Sequence, residues 1–131
     1  VRAADTYDYA VVRAVPRVER EEFLNVGILL SCERRRWLQA RIELDRARLL
    51  ALCPGADVDA IWRALAAIPR VCAGGAEAGP IGLLPQRARF HWLTAQRSAV
   101  VQTSTVHMGR CRHGDLDAVM ERLLQRMVRV G

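Results

Sequence analysis

Two apolar runs, Tyr7–Val15 and Phe23–Cys32, are joined only by Pro16 and the charged link Arg17–Glu22. In the first run Ala10, Val11, Val12, Ala14 and Val15 put apolar side chains on both alternating faces, the pattern of a strand covered on two sides. The second is rich in Val, Ile and Leu around Gly27. The link is too short for a crossover helix, so the two strands are expected to pair antiparallel. A third run, Trp37–Leu44, alternates cleanly: Leu38, Ala40, Ile42 and Leu44 on one face, Gln39, Arg41 and Glu43 on the other. Three strands with short links predict a meander.

Helical patterns follow. Asp45 is placed to cap a short helix that stops near Leu52, before Pro54-Gly55. Asp57 is placed to cap a second, with Val58, Ile61, Trp62, Leu65 and Cys72 on one stripe and Ile68 beside it; Pro69 predicts its end or a kink. Ala73–Pro85, with four glycines and two prolines, reads as a loop that could move and cover a site. Ala88–Thr94 and Ser98–His107 read as two strands in a hairpin around Ala95–Ser98. Leu116, Val119, Met120, Leu123, Leu124, Met127 and Val128 make an unbroken helical stripe, with Asp115 and Asp117 at its start and Arg122, Arg126 and Arg129 toward its end, both suited to the helix dipole. That stripe reads as a core helix, with a partner-binding helix as the second reading. The expected class is therefore α+β: one domain with an antiparallel sheet of about five strands, helices mainly on one face, in the order β-β-β-α-α-β-β-α.

Composition narrows the function classes. With 131 residues, 51% hydrophobic and 26% charged, the chain can bury a core without staples. It has no apolar run of membrane-spanning length, no visible signal peptide, and no Met at its start. Its four cysteines, Cys32, Cys53, Cys72 and Cys111, form no C-x-x-C pair, and three lie in apolar stretches. A reducing cytoplasmic setting is the expectation. The net charge of +6 invites a nucleic-acid reading. All 20 basic residues are arginine, however, and Ala is abundant, as a GC-rich genome would write. Trp37, Trp62, Phe90 and Trp92 fall on apolar stripes and read as core rather than as a base-stacking platform.

Several polar residues could carry chemistry. Glu22 and Asn25, with Gly27, stand at the entry to the second strand, where a carboxylate and an amide could coordinate a cation or orient a substrate, or where Asn25 and Gly27 could supply local backbone bonding and a bulge. Arg13 is the odd residue on an apolar strand face and needs an acceptor, for which Glu22 and Glu43 are candidates; the alternative is an anion site. His107 could transfer a proton near neutral pH or bond a backbone group. Gln102 and Ser104 share one face of their strand. Arg97 could stabilise negative charge beside them. No nucleophile elbow or phosphate-binding glycine loop is present. His107, Cys111 and His113 are close in sequence, but H-x3-C-x-H matches no standard zinc spacing, so no metal and no cofactor are expected.

Tyr9–Pro16 (YAVVRAVP), Glu22–Ile28 with its E-x-x-N-x-G pattern, and Phe90–Gly109 (FHWLTAQRSAVVQTSTVHMG) with its H-x-G ending together resemble a bacterial family, domain of unknown function 3037. With the final helix the resemblance spans nearly the whole chain. It implies a small stand-alone bacterial protein and suggests HipA-like kinase proteins as gene neighbours. It supplies no activity, and no role is carried to Arg110-Cys111-Arg112-His113. Three functions remain open. One is an accessory or protein-interaction module working with a partner such as that kinase. Another is a small hydrolase or nuclease-like enzyme using Glu22, Asn25 and His107, with Arg13 or Arg97 steadying charge. The third is a nucleic-acid binder driven by arginine charge, with steep salt dependence. The enzyme requires Glu22, Asn25 and His107 to converge on one cleft.

Overall fold

The computed structural model describes residues 5–111 and 114–130. Strands β1 (Asp5–Ala14), β2 (Leu24–Cys32) and β3 (Trp37–Ile42) form the expected antiparallel meander. Helices α1 (Arg46–Leu52), α2 (Val58–Ala73) and α3 (Gln86–Thr94) follow, then β4 (Val101–Thr103), β5 (His107–Cys111) and α4 (Leu116–Met127). All strand pairs are antiparallel, in the order β3-β2-β1-β4. β5 also pairs with β1, beside residues Asp5–Tyr9, while β4 takes Val12–Ala14. The far edge of β1 is thus covered by two short strands in succession.

β1 and β2 are buried on both faces, as their unbroken apolar runs require. On one face Val12, Ala14, Leu24, Val26 and Leu29 pack with Leu49 of α1, Ile61, Leu65, Ile68 and Val71 of α2, and Phe90 and Leu93 of α3. On the other Tyr7, Val11, Ile28, Leu30 and Cys32 pack under Leu116, Val119, Met120, Leu123 and Leu124 of α4. Three helices therefore share one face and the last covers the other. The C-terminal stripe is core: burying a large aliphatic side chain gives about 1.5–3 kcal/mol. Asp45, Asp57 and Asp115 each cap their helix, accepting the backbone N–H three residues on.

Four expectations need correction. Ala88–Thr94 is helix, not strand: burial falls on Phe90 and Leu93, at i and i+3, rather than on alternate residues. Ser98–His107 is not one strand, because pairing breaks between Thr103 and His107 and resumes through Cys111. Of the two outcomes expected at Pro69, an end or a kink, the end does not occur: α2 runs on to Ala73. Trp62 and Trp92 are not core, at 40% and 41% exposed. The Gly/Pro segment is built rather than open. Ala76–Ala78 and Pro80–Leu83 are 3-10 turns, and Gly75 N–H donates to Gly82 O at 2.8 Å. The Arg89 guanidinium donates to Val71 O, Cys72 O and Leu84 O, tying the end of α2 to the start of α3.

Candidate functional site

The motif residues are best understood from the registers they set. β1 and β2 slip past one another at Val12/Arg13, so that Gly27 faces Val12 and Asn25 faces Arg13. A Cβ on Gly27 would come within 2.7 Å of Arg41 O and 2.8 Å of Ile42 Cδ1, so β3 leaves room only for glycine. Asn25 Nδ2 donates to Met127 O at 3.1 Å, closing the C-terminal end of α4. Glu22 is exposed and paired with Arg20, whose guanidinium holds the carboxyl below the usual carboxylate range. A carboxylate so stabilised is a poor proton acceptor.

His107 is exposed on β5 opposite Tyr9, the two rings 5.3 Å apart. A Cβ on Gly109 would lie 2.4 Å from the Tyr7 ring, so the H-x-G glycine is the seat of that ring. The Tyr7 hydroxyl in turn accepts from Arg122 at 3.3 Å. Asn25 and His107 flank β1 on opposite sides, at the registers of Arg13 and Tyr9 respectively. At ordinary strand spacings that separates them by about 16 Å. Glu22, Asn25 and His107 therefore do not share a cleft.

Ser104 holds the gap between β4 and β5. Its N–H donates to Val11 O, its hydroxyl accepts from Val11 N–H at 2.9 Å, and the same hydroxyl donates to Thr105 O. This buried side chain stands in for a missing rung of the ladder.

The remaining candidates do converge. Arg13, Arg97 and Gln102 line one open groove of about 540 Å³, together with Val15, Val18, Phe23, Gln96, Ser98 and one carboxylate residue, Glu21. Gln102 is brought there by its register opposite Arg13. The expected carboxylate partners of Arg13 are engaged elsewhere: Glu22 with Arg20, and Glu43 in a two-point pair with Arg129. Arg13 instead lies over the Phe23 ring at 4.0 Å, and its buried Nε has no hydrogen-bond partner among the described residues. Arg97 lies over Trp92 at 4.7 Å and donates to the carbonyls of Trp92 and Ala95. Among the described residues neither guanidinium is within 4.0 Å of a carboxylate oxygen. Arg17, Arg20, Arg34, Arg35, Arg41, Arg46 and Arg129 have such partners, while Arg36, Arg48, Arg63, Arg70, Arg87, Arg89, Arg110, Arg122 and Arg126, like Arg13 and Arg97, have none among the described residues; what sets Arg13 and Arg97 apart is that they line the same groove. Two fixed guanidiniums facing one groove can bind a carboxylate or other oxyanion through forked hydrogen bonds.

Other chemistry finds less support in the geometry. Burial pushes the Cys72 thiol up to about 12, so it is protonated at neutral pH. The four cysteines are free. Among the described residues no group of three His, Cys, Asp or Glu could hold a metal, and His113 of the His107–Cys111–His113 trio lies outside them. No helix among those residues is long and apolar enough to cross a membrane.

A family model described as Protein of unknown function (DUF3037) matches residues 9–128. No curated protein and no solved structure matches the chain.

Proposed function

The chain belongs to the DUF3037 family, and on that footing we propose that it is a non-catalytic accessory module that docks an acidic segment of a partner protein in the Arg13–Arg97 groove. The observation carrying this reading is the convergence of Arg13, Arg97 and Gln102, with both guanidiniums free of carboxylate partners among the described residues. Arginine forks fixed in advance lose little freedom on binding a carboxylate, so affinity follows from groups already in place. The groove is open and polar, a shape suited to an extended segment. The HipA-like kinase suggested by the family resemblance is the first partner to try.

The test is titration with an oligoglutamate peptide, with oligoglutamine as the neutral control. Binding to the native chain should be saturable, and the Arg13→Gln/Arg97→Gln double variant, compared at a temperature where both chains are folded, should lose about tenfold or more in affinity. Equal affinity in the double variant, or equal binding of oligoglutamine, would overturn the reading. Tighter binding of a random DNA duplex than of oligoglutamate would move the function to nucleic acid.

A further inference from the structure

Around the edge of β4 from the arginine groove lies a second, apolar pocket. α2 presents Ala64, Ala67, Ile68 and Val71 to it; Trp92 and Leu93 of α3 and Val101 and Thr103 of β4 complete the walls. The small side chains at positions 64 and 67 keep this face of α2 from filling the space, which measures about 220 Å³. A dry cavity of about 150 Å³ accommodates benzene. This one therefore has room for a ring carrying a short chain.

Three features bear on the occupant, of which Arg97 sets the acidic end. Arg97 stands on the lining, its guanidinium fixed over Trp92 and by the Trp92 and Ala95 carbonyls, with no carboxylate partner among the described residues. The Thr103 hydroxyl is buried without a hydrogen-bond partner among those residues, a state that costs about 1–3 kcal/mol. Trp92 and Val100, both on the lining, leave 41% and 37% of their surface in solvent, so apolar area remains for a ligand to cover. The lining holds no Cys, His, Asp or Glu, which fits binding rather than turnover.

We infer that this pocket is a small-molecule site for an apolar monocarboxylate, its ring or short chain between α2 and β4 and its carboxylate on Arg97. The inference does not depend on partner docking, although Arg97 borders both sites.

The probe is 3-phenylpropionate, with 3-phenylpropanol as its neutral counterpart, followed by two-dimensional NMR including the Trp92 indole N–H. The native chain should show saturable shifts confined to α2, α3, β4 and the Ala95–Val100 link that carries Arg97, with the alcohol binding about tenfold more weakly. Arg97→Gln should erase that preference while leaving the alcohol's affinity alone. Ala67→Phe should fill the space and abolish binding of both; Ala64→Leu serves the same purpose if the first variant does not fold. Unsaturable or scattered shifts in the native chain, or full affinity in a folded pocket-filling variant, would overturn the inference. Arg13→Gln should weaken oligoglutamate and not phenylpropionate, whereas Ala67→Phe should do the reverse. Failure of one site is thereby separable from failure of the other.

Discussion

The outer edge of β1 is finished in two different ways. Along its N-terminal half, against β5, polar and aromatic groups are locked together: Tyr7 on Gly109, Tyr9 beside His107, and the Tyr7 hydroxyl on Arg122. Along its C-terminal half, against β4, Arg13 and Gln102 face a groove, and the Arg13 Nε has no partner among the described residues. Ser104 marks the boundary, bonded to Val11 through both backbone and side chain. The same strand thus locks one half into the fold, while its other half borders the groove proposed above as a docking site. Asn25, Gly27, His107 and Gly109 of the E-x-x-N-x-G and H-x-G patterns sit on paired strands, whereas Arg13, Arg97 and Gln102 of the groove are not among the named positions of those two patterns.

Substitutions should separate the halves. The largest loss is expected in the locked half: Tyr7→Ala should cost about 3–5 kcal/mol in urea unfolding, since it empties a large core site, without weakening oligoglutamate binding to the fraction still folded. A small loss there would mean that Gly109 and Tyr7 do not hold β5. At the boundary, Ser104→Ala leaves the buried Val11 N–H without its side-chain acceptor and should cost about 1–3 kcal/mol. A neutral result would show that the gap between β4 and β5 closes without it.

A smaller, pH-dependent effect is expected where the C-terminal end of α4 is anchored beside Asn25 and Glu43. The Arg129 guanidinium, hydrogen-bonded to Glu43, holds the Glu43 carboxyl below the usual carboxylate range. The folded value is thus lower than the unfolded one. The stabilisation is fully present above the unfolded value and is lost as pH falls through the folded one. Melting temperatures of the native chain and Glu43→Gln should differ at neutral pH and draw together as the pH falls through and below the usual carboxylate range. A constant gap across that range would assign the effect to packing instead of charge.

Much of this fold was legible because local pattern and tertiary demand agree. The apolar runs of β1 and β2, the alternation of β3, the three Asp caps and the α4 stripe each point to the element observed. α3 was misread because Ala88, Phe90 and Trp92 alternate like a strand. The overlooked signal is that Gln86–Leu93 contains no β-branched residue. The single strand expected at Ser98–His107 reflected its Val and Thr content; the break depends on a bond between residues 93 apart in sequence, Val11 and Ser104. Arg13, Arg97 and Gln102 stood out as polar residues near apolar strands, but their convergence depends on β4 docking against the far end of β1. The apolar pocket had no sequence signature, because Ala64 and Ala67 look like ordinary helix residues until the elements facing them are known.

Chemical-shift mapping of oligoglutamate on the native chain tests the division of β1 most directly. Shifts at Arg13, Arg97, Ser98 and Gln102, with Tyr7, Tyr9, His107 and Gly109 unmoved, are the predicted result. Shifts centred on His107 and Tyr9, with the Arg13 groove silent, would contradict it.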